Sequence, residues 1–498
     1  MKIFILALAA LALLSGCAGR ETGKTAEMSF GFSSEPSTLD PLSPGNTADG
    51  RSILFNVFEG LVKPDTQGVM KPCIAESWTI EQNAAVYNFM LRENVLFHDG
   101  TPVTPADVKF SLETAAAAGF GSLDRIGEIL VQDNALRIIL TESDPEFLPY
   151  LTVGIVQAGN EARERNVIGT GPFYIESYTP QRNLVLKKFD DYWDSGLPHL
   201  EKVTIVFFVN TEVMMLALRG GSIDGANVTG AMTVQFNNDD FDIVHRYSAA
   251  VQLLALNNNV PPLDDVLVRR AINYGIDVNE IIDTAFFGAG LPSGSPVIPG
   301  LSAYYNETLS YPYEPDTARK LLEEAAQSYL QRNGREPDFS IEITVPSNYV
   351  MHVDTAQVIV SQLERIGINA NIKLVDWATW LSSVYFGRQY AATVISLDSS
   401  VVSPRSFLAR YRSESGENFM NFTNTEFDNL YNAILSETDD SARINLYKEA
   451  QAAITHNAAG VYIQDIFYFM AFRKGAYAGF KNYPLYTIDF ASIYTQDR

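Results

Sequence analysis

Short strand-like runs alternate with helix-length amphipathic stretches along most of this chain, and no internal repeat or low-complexity tract breaks the order. That pattern predicts an α/β fold arranged in lobes, not a barrel or a propeller. A strand–helix–strand unit in the second half, the mark of a parallel pair, points to the same class. The length, 498 residues, suffices for two or more domains.

The elements read as follows. Met28-Ser29-Phe30-Gly31-Phe32 alternates like a strand. Val86 to Leu91 and Leu136 to Leu140 are also strand-like, and Val203 to Val209, β-branched and aromatic, suits a buried strand. Val268 to Phe287, Asp316 to Asn333 and Thr355 to Gly367 carry apolar residues at helical spacing, and Asp316 is placed to cap the second of these helices. Ile341 to Val345 and Asn371 to Val375 flank the third and complete the βαβ unit. Asp428 to Leu435 and Ala442 to Thr455 read as two more helices.

Composition is that of a folded protein, with 46% hydrophobic and 19% charged residues, which argues against disorder. The net charge of −23 gives a surface that repels nucleic acid and anionic headgroups. Of the two cysteines, Cys73 reads as a small core residue, and a disulfide framework is excluded if Cys17 is modified. Enzyme signatures are missing: there is no Gly-x-Ser-x-Gly elbow, no His-Glu-x-x-His and no Cys-x-x-Cys. Gly19 to Thr25 imitates a phosphate loop but has one residue too few between its glycines. His98, His199, His245, His352 and His456 are scattered without metal-ligand spacing. No catalytic residue, resident cofactor or metal is expected.

The N-terminus carries its own message. Met1 and Lys2 precede an apolar run from Ile3 to Leu14, too short to span a membrane, for which about 20 apolar residues are needed. The run ends in Leu14-Ser15-Gly16-Cys17, which looks like a bacterial lipobox. That resemblance implies cleavage before Cys17, lipid on its sulfur, and a protein working outside the cytoplasmic membrane, in the periplasm or at the cell surface. Residues 17–27 are mostly small or polar, as a tether should be.

Many short motifs then occur in one order. They include Glu35-Pro36-Ser37-Thr38-Leu39-Asp40-Pro41, Phe58-Glu59-Gly60-Leu61-Val62, Ala75-Glu76-Ser77-Trp78 and Phe97-His98-Asp99-Gly100-Thr101-Pro102-Val103-Thr104. Gly169-Thr170-Gly171-Pro172-Phe173, Tyr192-Trp193, Leu256-Asn257-Asn258, Val268-Arg269-Arg270-Ala271-Ile272 and Ile276-Asp277 follow. Together they resemble the family 5 extracellular solute-binding proteins, the peptide and nickel receptors of ABC importers. Most of these motifs report fold, not ligand. His98 to Thr101 and Gly169 to Phe173 read as tight turns, and Arg269 and Arg270 as groups holding a helix to its own lobe.

The resemblance implies a two-lobe periplasmic-binding-protein fold (type II, cluster C) with an extra subdomain and a two-strand hinge. Lobe I would comprise 28–58, 167–246 and 475–498, the extra subdomain 59–166 and lobe II 247–474, after a signal peptide at 1–16 and the tether at 17–27. The crossings fall near Val251 to Asn257 and Val461 to Phe472. Lobes joined this way can close on ligand by rotation.

In peptide-binding members an acid in lobe II takes the ligand's α-ammonium, three residues after a tryptophan and four before a proline. Here, counting from Pro404, Leu397 stands in the tryptophan's place and Ser400 in the acid's. Asp398, two residues upstream and on the same strand face as Ser400, could substitute. A serine alone is a poor partner for a buried ammonium. Trp377 matches a second pocket tryptophan or packs in the core. Arg405 could pair with a ligand carboxylate or lie on the surface. Asn46 and Thr47 lie in a loop that family geometry brings to the cleft. The acid-Pro pair usual before the last strand of lobe II is replaced by Ala458-Ala459-Gly460.

The leading expectation is a lipid-anchored ABC-importer receptor for a peptide-like or other small polar solute. Its partners would be that ligand, the permease transmembrane subunits and, through lipid only, a membrane; the chain would act as a monomer. A nickel or metal-chelate receptor of the same family is the alternative. An envelope sensor or chaperone-like binder is a third reading, and a periplasmic hydrolase has no supporting motif.

Overall fold

The computed structural model describes residues 26–43, 46–228, 230–233, 236, 240–398, 401, 403–484 and 487–496. The signal segment, Cys17 and Ser400 lie outside them.

One sheet of eleven strands runs through the described residues. In its first half Glu27–Phe32 pairs in parallel with Lys202–Phe207 and Gly225–Val228. Asn183–Lys188 and Phe173–Thr179 extend that half antiparallel. In the second half Ser340–Pro346 pairs in parallel with Asn369–Val375 and Ala392–Asp398. The helix Val350–Arg365 connects the first two of these, so the expected βαβ unit is present. Two long strands, Phe241–Leu256 and Gly460–Arg473, lie antiparallel to each other between the halves. They are the crossings, so the α/β, two-lobe fold read from the sequence is observed. Their register shifts between Tyr247 and Val251, where Ala249 takes a φ of 60°.

Strand periodicity builds the second lobe. Along one crossing strand Leu254 and Leu256 join a core with Ile341, Ile343 and Leu363. Val251, Leu253 and Ala255 point to the other face, against Trp380, Ile395 and Tyr447. The first lobe is centred on Phe30, Phe32, Phe472 and Phe490, whose rings meet in mostly edge-on contacts around Phe30. A separate four-stranded antiparallel sheet, formed by Ala75–Glu81, Val86–Leu91, Ala135–Leu140 and Ile126–Gln132 in that spatial order, carries the helix Pro105–Ala117 beside it.

Three local readings need correction. The stretch Val268 to Phe287 is two helices, Val266–Gly275 and Val278–Phe286. Asp277 breaks it, because its carboxylate accepts the backbone N–H groups of Asn279 and Glu280 and so starts a new helix. Asp316 is not a cap: Pro315 takes the first helical position, Glu314 is the cap residue, and Asp316 sits in the first turn, where its charge suits the helix dipole. The strand Lys202–Phe207 stops short of Val209, which is fully exposed.

The two turns read from the sequence hold one another. The His98 Nδ1 accepts from the Gly169 N–H at 3.1 Å, and its Nε2 lies 3.0 Å from the Gly171 carbonyl. Gly171 has no room for a side chain, since a Cβ there would sit 2.7 Å from the Asn56 carbonyl oxygen. Arg269 donates to the carbonyls of Ala458 and Asn457, and Arg270 to that of His456. They thus tie their own helix to the end of Asp440–His456.

Candidate functional site

A cavity of about 550 Å³ opens where the two lobes meet, within the range of small-molecule sites. Asn46, Arg51 and Phe55 line it from lobe I, Tyr150 from the four-stranded subdomain and Thr487 from the C-terminal segment. Ala249, Asp398, Val401 and Phe407 line it from the other lobe. Ala249 is the crossing-strand residue at the bulge, so cavity and hinge are adjacent.

The lobe II wall follows from strand direction. The parallel strands Ser340–Pro346, Asn369–Val375 and Ala392–Asp398 all end at one edge of the sheet. Ligands of open α/β sheets bind outside such carboxyl ends. Asp398 is the last residue of its strand, pairs with Ala250 of the crossing strand, and is exposed. Its carbonyl accepts from Arg410 at 3.0 Å, whereas its carboxylate has no hydrogen-bond or ion partner among the described residues. Trp377 and Tyr349 follow the other two strand ends. Trp377 stacks on Trp380 with ring centroids 5.1 Å apart and meets Tyr349 edge-on at 5.4 Å. It is neither core nor cavity wall: it stands on an exposed ledge, while Trp380 beneath is buried and donates to Thr393.

The lobe I wall is different in kind. Asn46 Oδ1 accepts from Ser37 N and Thr47 N, and its Nδ2 donates to the Thr38 carbonyl at 2.8 Å. Thr47 caps the helix Ala48–Leu54, accepting from Gly50 N at 2.9 Å and donating to the Glu35 carbonyl. Both side chains are engaged in holding the loop. Arg51, one turn on, donates to the Asn46 carbonyl at 2.9 Å and has no carboxylate partner among the described residues. The buried Thr487 hydroxyl also lacks a partner among them. Deeper in lobe I, Glu59 accepts from Tyr192 and Trp193 at 2.6 and 2.7 Å. Burial, and then the adjacent Glu59 charge, push the Cys73 thiol well above its ordinary range, which leaves it a protonated wall residue.

Arg405 is buried and does not line the cavity. Its guanidinium pairs with Asp144, donates to the Tyr150 hydroxyl at 3.0 Å and lies over the Tyr150 ring. A ligand carboxylate would have to displace Asp144 to reach it. Among the described residues, no three His, Cys, Asp or Glu side chains are grouped to hold a metal ion, and no helix is long and apolar enough to cross a membrane.

Of the residues singled out in the sequence, the structure brings Asn46 and Asp398 to one cavity, places Thr47 behind the loop as a cap, and keeps Trp377 and Arg405 off its wall. Arg51, Tyr150 and Thr487 belong to the cavity without any motif to announce them. Arg51 could have been suspected only from its place one turn after a helix cap in a loop expected at the cleft.

Comparison with known proteins agrees with the two-lobe fold. Residues 69–419 match the model of bacterial extracellular solute-binding proteins, family 5. Heme-binding protein A of Haemophilus influenzae is 27% identical over 432 residues, 78% of each chain. The dipeptide-binding protein of Escherichia coli is 25% identical over 477 residues, 86% of this chain and 87% of that one. The solved structure of HbpA2 from Haemophilus parasuis superposes with a TM-score of 0.83 at 21% identity, covering 95% of this chain and all of that one. The family match spans well over half of the sequence, and the chain belongs to the bacterial extracellular solute-binding proteins of family 5.

Proposed function

We propose that this protein is the lipid-anchored receptor of an ABC importer, taking a small, peptide-like solute with a cationic group between its lobes and presenting it to the permease. The observation that carries the reading is the cavity of about 550 Å³ shared by two lobes that two crossing strands join. Asp398 supplies the ligand chemistry: its carboxylate faces the cavity without a counter-ion among the described residues, at a strand's carboxyl end. A positively charged ligand group there gains a charge-assisted hydrogen bond. Ser400 follows it by two residues in sequence, and Asn46, in the loop before the helix that Thr47 caps, shapes the opposite wall. Lobe closure then excludes water and strengthens the pair. Cys17, lipidated after removal of 1–16, holds the receptor at the membrane; two acyl chains are needed for stable anchoring.

Calorimetry with a matched pair of free and N-acetylated short peptides tests the ligand reading. Binding of the free form that falls at least tenfold on Asp398→Asn supports it; binding of the free form that survives the substitution removes Asp398 from the site. For the anchor, a Cys17→Ala protein should leave the membrane fraction and lose the acyl mass shift.

A further inference from the structure

The lobes also touch at a point outside the cavity, through buried charge. Asp144 and Glu146 stand in the loop after the strand Ala135–Leu140 of the four-stranded subdomain. Opposite them lie Ser403, Arg405 and Arg443 of lobe II. None of the five is more than 8% exposed, and none lines the cavity. Arg405 pairs with Asp144; the Ser403 hydroxyl donates to Glu146 at 2.7 Å and Arg443 donates to the same carboxylate at 3.2 Å.

The two carboxylates differ in one respect. Asp144 has a partner at home, Arg125 at 3.1 Å, and its carbonyl is held by Tyr87. Among the described residues, the Glu146 carboxylate has hydrogen-bond partners only from lobe II. A buried carboxylate is stable only when paired. In this arrangement Glu146 is satisfied while the lobes touch, and it must return to water when they part.

We infer that Asp144 and Glu146 form a clasp on lobe II, with Ser403 and Arg405 as positioning residues that fix the lobe angle without touching ligand. The clasp rests on the two-lobe receptor reading, but its test needs no ligand, so the two can fail separately. Small-angle scattering on the ligand-free full chain should give a radius of gyration near 23 Å for the parent, from chain length. Glu146→Gln should raise it by about 1 Å, a hinge opening of the kind that such lobes permit. Arg405→Gln should do the same, and Asp144→Asn with Arg405→Gln should add little beyond Arg405→Gln alone, because both remove one pair. Glu146→Asp should recover part of the parent radius. Ser403→Ala, which removes a single hydroxyl, provides a gentler variant should the charge changes prevent folding. Radii equal to the parent's in all folded variants would overturn the clasp. A lowered melting temperature with an unchanged radius would do so too, since it marks the cluster as packing only.

Discussion

The two walls of the cleft are built on opposite terms. On the lobe I side Asn46 and Thr47 spend their polar atoms on the loop and helix that carry them. On the lobe II side Asp398 leaves its carboxylate uncommitted, while the exposed rings of Trp377 and Tyr349 stand outside the cavity. On one wall the loop residues are spent on the fold, with the Arg51 guanidinium and the Thr487 hydroxyl as its open groups; the other presents a carboxylate unpaired among the described residues. Substitution of Asp398 should therefore act on binding, and substitution of the loop residues Asn46 and Thr47 chiefly on stability.

Acid should strain both halves through buried imidazoles. Burial lowers His98 and His352 from 6.5 to about 4. In the first, Nδ1 accepts from Gly169 N–H; in the second, Nδ1 faces the Gln252 amide at 3.0 Å. The neutral ring is the form that the fold holds. For a base lowered on folding, the stabilisation is complete above pH 6.5 and is lost as pH falls toward 4. Each ring thus costs on the order of 3 kcal/mol across that window. Urea unfolding at pH 7 and pH 4.5 should show the loss, and His98→Gln should flatten the subdomain's share of it. A stability that stays level between these pH values would mean that both rings protonate freely in the fold. The two rings differ in reach, because His352 connects to the crossing strands through Gln252 and Gln464. Its protonation should disturb the hinge, whereas that of His98 should disturb one turn.

Asp398→Asn is the sharpest test of the lobe II wall. A hydrogen bond to a charged group contributes about 1.5–3 kcal/mol, so affinity for a cationic ligand should fall roughly 10- to 100-fold. The melting temperature should stay within a degree or two, because the lost carboxylate has no partner in the fold among the described residues. Equal loss of stability and affinity would erase the distinction between the walls.

The sequence reading reached some of this and missed the rest for physical reasons. Strands and the βαβ unit are legible because side-chain period and chain order encode them locally, whereas the two crossings follow only from the family resemblance. The boundary errors came from single residues whose hydrogen bonding overrides periodicity: Asp277 splits a helix, and Pro315 displaces Asp316 from its cap. The cavity was harder. Its wall is assembled from Arg51, Tyr150, Ala249, Asp398 and Thr487, which no local pattern connects. Asp398 is legible only through the resemblance, because the family's acid position falls two residues away, at Ser400. Arg405 was open to two readings, ligand partner or surface cation, and lies in neither setting. Its partner Asp144 is 261 residues away, and burial of that pair is a property of the folded interface alone.

Thr47→Ala should produce the smallest change, and its pattern tests the lobe I wall. The hydroxyl accepts from Gly50 N at the start of Ala48–Leu54 and donates to the Glu35 carbonyl. Removing such a cap costs about 1 kcal/mol. The helix is short, and Arg51, one turn past the cap, lines the cavity. Two outcomes are therefore distinguishable. If the wall is only shape, stability should fall by that amount while affinity for the free peptide changes less than about threefold, or about 0.7 kcal/mol. Restoration of stability by Thr47→Ser, which returns the cap oxygen without the methyl, would assign the loss to the hydrogen bond. Should affinity drop with stability and recover with serine, then Arg51 needs the cap to hold its place, and the lobe I wall contributes a charge to the site after all.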